Sequence, residues 1–343
     1  MQMKNRMPRL FAETVVKNAL KSITESPERG IRNLIDFALQ LSDGRFQKDF
    51  FMVAQTMLQN EDSAYYDLIR DVVTYVDTEK LYTFGINVGY NSCTVGAKRI
   101  RENEKVLGFH IPWTILLQID AQKFEEKQQR YDDLIFQGEH LGVYTWMLFV
   151  SDLSTKTLSL IERHPDSAFC VFCDMKDMTL SFLTEATMRK NMMVVIRYEE
   201  NVADACAKLR SNKMLYSTWY PYGQNDTERI INGDLFDRTQ EFAPVFTCLI
   251  PEINCPKEVH QRIYTAVKQT RNDQSYSTIA WDLKGDVSLI DAIISDDACS
   301  VSFDKNGNVC DWEKTFDTGH RNLFESNLTD ILCNTVPKQK AYG

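Results

Sequence analysis

The chain has 343 residues, of which 43% are hydrophobic and 25% charged, and its net charge is −9. That composition supports a sizeable core in one large domain or two to three small ones. The acidic balance argues against a general nucleic-acid surface, which needs a basic phosphate-binding footprint. No run reaches the apolar length of a membrane span, and the basic start MQMKNRMPRLF has no apolar segment behind it, so a cytoplasmic location is expected.

Residues 1–78 read as a helical domain. Ile31, Leu34, Ile35, Ala38, Leu39 and Leu41 follow helical spacing up to Ser-Asp-Gly at 42–44. Phe50, Val53, Ala54 and Met57 form a second stripe, and Leu68, Ile69, Val72, Val73 and Val76 a third. Residues 79–110 read as a connector. Its centre, GYNSCTVGA, admits a phosphate-cradling loop after a strand, but it lacks both GxxxxGK[ST] and GxGxxG. The preferred reading is a helix–turn–helix connection.

From Ile111 onward, strands and helices alternate. IPWTILLQID reads as a buried parallel strand, followed at once by the polar helix Lys123–Gly142 and the strand VYTWMLFV. A helix near Lys156–Arg163 leads to the strand SAFCVFCD, and one near Leu180–Arg189 leads to MMVVIRY. VADACAKLRSNK then leads to MLYSTWYPYG. This is the punctuation of a parallel sheet with helices outside. Beyond residue 224 one helix, KEVHQRIYTAVKQTR, is clear; YSTIAWDL is a further possible strand and VSFDKNGNVCDW a hairpin around Asn306-Gly307.

The nine cysteines are Cys93, Cys170, Cys173, Cys206, Cys248, Cys255, Cys299, Cys310 and Cys333. An odd number, scattered without a secretory signal, reads as reduced thiols. Cys170 and Cys173 alone have metal-like spacing, but in a strand a separation of three points them to opposite faces, and they read as core. The histidines at 110, 140, 164, 260 and 320 show neither HxH nor HxxxH, so no metal site is expected. No G-x-S-x-G elbow is present.

The order IPWTILLQID, LIFQGEHLGVYTWMLFVSD, LIERHPDSAFCVFCD, WYPYGQND and VSFDKNGNVCDWEKTFDTGHRNLFESNLTDIL resembles the radical SAM enzymes that carry a SPASM or twitch-type extension. The resemblance implies an α/β fold: a partial (β/α) barrel of about five or six strands at 111–223, an N-terminal helical domain, and a small extension at 224–343. It also implies a [4Fe–4S] cluster held by a C-x3-C-x2-C loop after the first barrel strand, with S-adenosylmethionine on the fourth iron. The chain departs from that pattern. Asp120 runs on to Ala121, Gln122, Lys123 and Phe124 without a cysteine. Val150, Ser151 and Asp152 replace the glycine-glycine-glutamate turn, and Cys173, Asp174 and Met175 replace the Thr-Asn-Gly turn. Cys299 and Cys310 are out of register with the extension's cysteines. No cofactor is therefore expected.

In parallel barrels, ligands meet residues just past the carboxyl ends of the strands. Here those positions are Asp120, Ser151, Asp152, Asp174, Arg197, Glu199, Tyr220 and Tyr222. The expectation is an acidic, water-reachable rim walled by Tyr220 and Tyr222, with Arg197 buried against Asp174 or Glu199. The alternative is that Asp120, Asp152 and Asp174 are helix N-caps. The tryptophans Trp113, Trp146, Trp219, Trp281 and Trp312 read mainly as core. Taken together, these residues suggest a cluster-less binding or accessory protein. Its partner would be a peptide, a small molecule or an intact radical SAM homologue, with no nucleic acid or membrane involved. An enzyme using rim carboxylates without S-adenosylmethionine is the alternative.

Overall fold

The structure, a computed structural model, describes residues 6–40, 42, 44–151, 155–310 and 321–338. Asp152, Leu41, Asp43 and the stretch 311–320 with Trp312 and His320 lie outside the described residues.

The amino-terminal part is helical as the stripes require: α1 (Arg6–Glu25), α2 (Pro27–Gln40), α3 (Arg45–Met57) and α4 (Tyr65–Tyr75). Helix α5 (Thr78–Ile86) passes into a ten-residue π-helix, Asn87–Gly96, and then into α6 (Ala97–Leu107). The strand, turn and phosphate-loop readings of GYNSCTVGA are therefore wrong, because Gly89 and Gly96 sit inside helical backbone. Then β1 (Thr114–Asp120), α7 (Ala121–Leu141), β2 (Thr145–Ser151), α8 (Thr155–Arg163), β3 (Ala168–Cys173), α9 (Leu180–Thr187), β4 (Met192–Arg197), α10 (Ala203–Ser211) and β5 (Tyr216–Tyr222) alternate. After α11 (Thr227–Ile231) and α12 (Asp234–Gln240), the alternation continues with β6 (Phe246–Pro251), α13 (Lys257–Asp273) and β7 (Ile279–Asp282). Helix α14 (Leu283–Ser295), the hairpin β8 (Val301–Phe303) and β9 (Val309–Cys310), and α15 (Leu328–Thr335) follow.

The strand order is β7-β6-β5-β4-β3-β2-β1-β8-β9, nine strands among the described residues rather than five or six. The excess arises beyond residue 224. There β6 and β7 pair in parallel with their predecessors, and β8 pairs in parallel with β1. β9 turns back antiparallel through Gly307, whose φ of +81° suits a glycine. The described residues divide into two compact units. One is drawn from Met1–Ile86, Asp174–Met178 and Met193–Gly285, the other from Asn87–Cys173, Thr179–Met192 and Asp286–Gly343.

In the first unit, α4 is tied to α10 by a forked ion pair. Arg210 Nη1 donates to Asp71 Oδ2 at 2.7 Å, Arg210 Nη2 also donates to Asp71, and the guanidinium lies 3.5 Å over the Tyr75 ring. The backbone joins the same elements, since Asp77 N–H donates to Lys213 O at 3.1 Å.

In the second unit, the π-helix is a clamp. Asn87 Nδ2 donates to Pro165 O and Ser167 O at 2.8 and 2.9 Å, and Asn91 Nδ2 donates to Asp166 O at 2.8 Å. These bonds hold the loop that feeds β3. Asn191 Nδ2 reaches the same region, donating to Ile161 O, His164 O and Ser167 O. His164 is buried between Asp132 and Glu139, with its ring nitrogens 3.1 and 3.2 Å from their oxygens.

Gly96 and Gly142 meet backbone to backbone. A Cβ on Gly96 would lie 2.4 Å from Gly142 O, and Gly142 itself has φ +113°. We expect Gly96→Ala to lower stability by about 1–3 kcal/mol through overpacking, read as a fall in the urea midpoint. Gly89→Ala, in the same π-helix with nothing within 4 Å of its Cβ, should leave the midpoint unchanged or raise it slightly. Equal midpoints for the two variants would count against this contact.

Candidate ligand-binding face

Successive strand residues point to opposite faces, and the registers of β4–β7 let these faces be followed across strands. Arg197 pairs with Trp219, Trp219 with Cys248, and Cys248 with Trp281. These four side chains form one row on one face. Phe246 and Ile279 lie one row below, and Pro221 and Ile250 one row above. Arg197, Trp219, Pro221, Phe246, Ile250, Ile279 and Trp281 are all half-buried. The opposite face is dry: Ile196, Thr218, Thr247 and Ala280, which form its matching row, are fully buried. The unit therefore has one covered face and one water-reachable face rich in aromatic side chains.

Two cations edge the open face. The Arg197 guanidinium lies 5.3 Å over the Trp219 ring, and Arg271 lies 5.9 Å over the Trp281 ring. Phe246 meets Trp281 edge-on at 5.8 Å. Arg197 Nε lies 3.6 Å from Glu199 Oε1. Arg197 is thus paired with Glu199 but not buried, since its side chain is 40% exposed. Burial was overestimated because MVVIRY reads as uniformly apolar; the strand ends at Arg197, where the sheet's cover ends.

Tyr220 and Tyr222 do not wall the open face. Alternation gives that place to Trp219 and Pro221 and turns both tyrosines to the covered side. Tyr220 OH donates to Asp226 Oδ1 at 2.7 Å, and Arg229 lies 5.3 Å over its ring. Burial, with the Asp226 carboxylate added, pushes the Tyr220 phenol up. Tyr222 is fully buried and donates to Asp282 Oδ2 at 2.7 Å; burial and that carboxylate push its phenol far above the ordinary range.

Asp282, at the end of β7, is the centre of this buried cluster. Its Oδ1 accepts from Gly285 N–H at 2.6 Å and lies 3.1 Å from His260 Nε2. Such an orienting carboxylate makes His260 a histidine of fixed tautomer, the arrangement of a supported base. Nearby, burial and then Asp282 push the Cys255 thiol up, the opposite of an activated nucleophile. Neither Asp282 nor His260 was singled out from the sequence. The available signal was that YSTIAWDL, once read as a strand, ends on an acid.

In the second unit, Asp120 and Ser151 are register partners at the ends of β1 and β2. They share a face with Gln118, which is exposed, and with Phe149, which stacks on Phe172 at 4.3 Å. Asp120 also caps α7, accepting from Lys123 N–H at 3.0 Å, as the N-cap alternative required. Ser151 is exposed, with its hydroxyl 3.5 Å from Ile119 O. Asp174 opens a short 3-10 turn, and its backbone N–H donates to Asp177 Oδ2 at 3.0 Å.

The residues at the end of β1 do not fit a [4Fe–4S] cluster. Strand β1 ends at Asp120 and α7 begins at Ala121, and no cysteine lies between Cys93 and Cys170. None of the nine cysteines is in a disulfide, and burial pushes Cys170 up to about 12. Among the described residues no three His, Cys, Asp or Glu side chains converge as a metal site would. No described helix is long and apolar enough to cross a membrane.

No protein-family model matches the chain, and no curated protein matches it. Crystal structures of SuiB from Streptococcus suis are similar to it in chain path. The S-adenosylmethionine-bound form has a TM-score of 0.49 and 11% identity, over 71% of this chain and 69% of that one. The form bound to the precursor peptide SuiA has a TM-score of 0.48 and 10% identity, over 71% and 70%. A further SuiB structure has a TM-score of 0.45 and 10% identity, over 84% and 76%.

The two polar positions should respond differently to substitution. Arg197→Met is expected to change stability by less than about 1 kcal/mol, because its ion pair is exposed. Asp282→Ala should cost about 2–4 kcal/mol, because it strands the buried donors of Tyr222 and Gly285. Urea unfolding of both variants checks this; a larger loss for Arg197→Met than for Asp282→Ala would reverse the assignment of the two faces.

Proposed function

We propose that this chain is a cluster-free binding or accessory protein, derived from a radical SAM scaffold, that recognises a peptide, a small molecule or a partner enzyme. The observation that carries the reading is the junction at Asp120. One residue closes β1 and caps α7, so the backbone has no length for a loop of three thiolate ligands. The half-exposed face of β4–β7 supports binding as the remaining role. Trp219, Trp281 and Phe246 offer stacking area, and Arg197 offers a cation at its rim. That combination suits an extended peptide or a flat organic ligand with an acidic group.

A second reading is an enzyme working without S-adenosylmethionine. The Asp282–His260 pair favours it, as a carboxylate-supported base at a strand's carboxyl end.

Protein made and purified without oxygen, with iron and sulfide supplied, should carry far less than one iron per chain. It should also give no reductive cleavage of S-adenosylmethionine. About four irons and four labile sulfides per chain, with cleavage under a strong reductant, would overturn the proposal.

A further inference from the structure

The lead-in to β1 is gripped by two buried carboxylates. Glu104, on α6, accepts from Ile111 N–H at 2.8 Å. Asp291, on α14, accepts from Trp113 N–H at 2.6 Å, two residues further on. Their exposures are 2% and 0%. Glu104 also meets Lys338 Nζ at 3.0 Å and lies 3.8 Å from His110 Nδ1. The segment around Lys338 is paired with the same lead-in through its backbone. His110 N–H donates to Val336 O at 2.8 Å, and Lys338 N–H to Gly108 O at 3.1 Å. Ser295, at the end of α14, completes the junction by donating to Ile111 O at 2.7 Å.

Asp291 has no cation of its own among these contacts. Its Oδ2 lies 3.0 Å from the Ser300 hydroxyl, and Oδ1 faces Trp113 N–H. A neutral carboxylic acid satisfies both neighbours, because its carbonyl oxygen accepts from Trp113 and its O–H donates to Ser300. The other titratable groups around it are Glu104, Asp297, His110 and the buried Cys299 thiol.

We propose that this junction is a proton-dependent latch: uncharged, Asp291 holds the lead-in to β1 and the adjoining segment 336–338, and on losing its proton beside Glu104 it loosens both. Burial, reinforced by the Glu104 charge, pushes the Asp291 carboxyl from its ordinary 3.8 up to about 7. The folded value lies above the unfolded one, so the folded chain binds more protons between them, and stability falls as pH rises. The contribution is complete below about 4, is lost progressively as pH rises, and is gone once pH has passed through about 7.

Hydrogen exchange of the full chain between pH 4.5 and 9, corrected for intrinsic amide rates, tests the latch. Protection in peptides covering 108–114 and 330–338 should fall as pH rises from 4.5 towards 7, approaching tenfold per unit, and level off above about 7. Peptides of β2 and β3 should hold constant. Asp291→Asn reproduces the hydrogen bonds of the neutral acid and should make the same protection independent of pH. A fall shared equally by all strands, or one that persists in Asp291→Asn, would overturn the proposal. If the variant does not fold, carbon-13 carboxyl titration of wild-type protein labelled at aspartate decides. An aspartate titrating near 7 supports the latch, and all aspartates titrating below 5 refute it.

Discussion

Strand β1 ends on the residue that caps α7, and no residue is left over between them. The consequences are largely local and geometric. A capping aspartate must hold extended φ/ψ while its side chain accepts from the third residue of the helix, and Asp120 does so at φ −89°, ψ 135°. Its carboxylate is therefore engaged in starting a helix. The same position in a loop-bearing scaffold would be the base of a long active-site segment. Here helix backbone follows the strand's carboxyl end directly.

The sheet's faces follow from alternation, which is why so much of the fold was legible. Strands β1 to β5 and the helices between them are where apolar runs and helical stripes place them. The π-helix was not legible, because GYNSCTVGA has the small and polar residues of a turn. What overrides them is tertiary: Asn87 and Asn91 satisfy three backbone carbonyls of the loop before β3, a gain only helical backbone at that place delivers. Of the later strands, β7 and the β8–β9 hairpin were read from YSTIAWDL and VSFDKNGNVCDW, while β6, between the short helix α12 and a turn, was not. What periodicity cannot reveal is that β8 pairs with β1, far off in sequence.

The strand ends were legible in the sequence, but the orientation of their side chains was not. Naming the carboxyl ends of strands pointed to Arg197 and the Trp219–Tyr222 run, which the structure places at the ends of β4 and β5. Choosing Tyr220 and Tyr222 over Trp219 and Pro221 was a parity error of one residue. In a strand that error moves a side chain from solvent to core. Arg197 itself sets the parity, since a guanidinium on the covered face would have to be fully paired, and its register partner is Trp219.

Buried carboxylates then show how the chain distributes its polar chemistry. Asp282 is surrounded by donors, namely the Tyr222 hydroxyl, Gly285 N–H and the His260 ring. Asp291 has one N–H, one hydroxyl and a neighbouring acid. The same residue type at similar depth is thus placed among different neighbours. Those neighbours make Asp282 an anchor for the end of β7. Burial beside Glu104 favours the neutral form of Asp291 and couples the start of β1 to the proton concentration. The difference lies in the neighbours rather than in depth, so burial alone would have assigned both the same role.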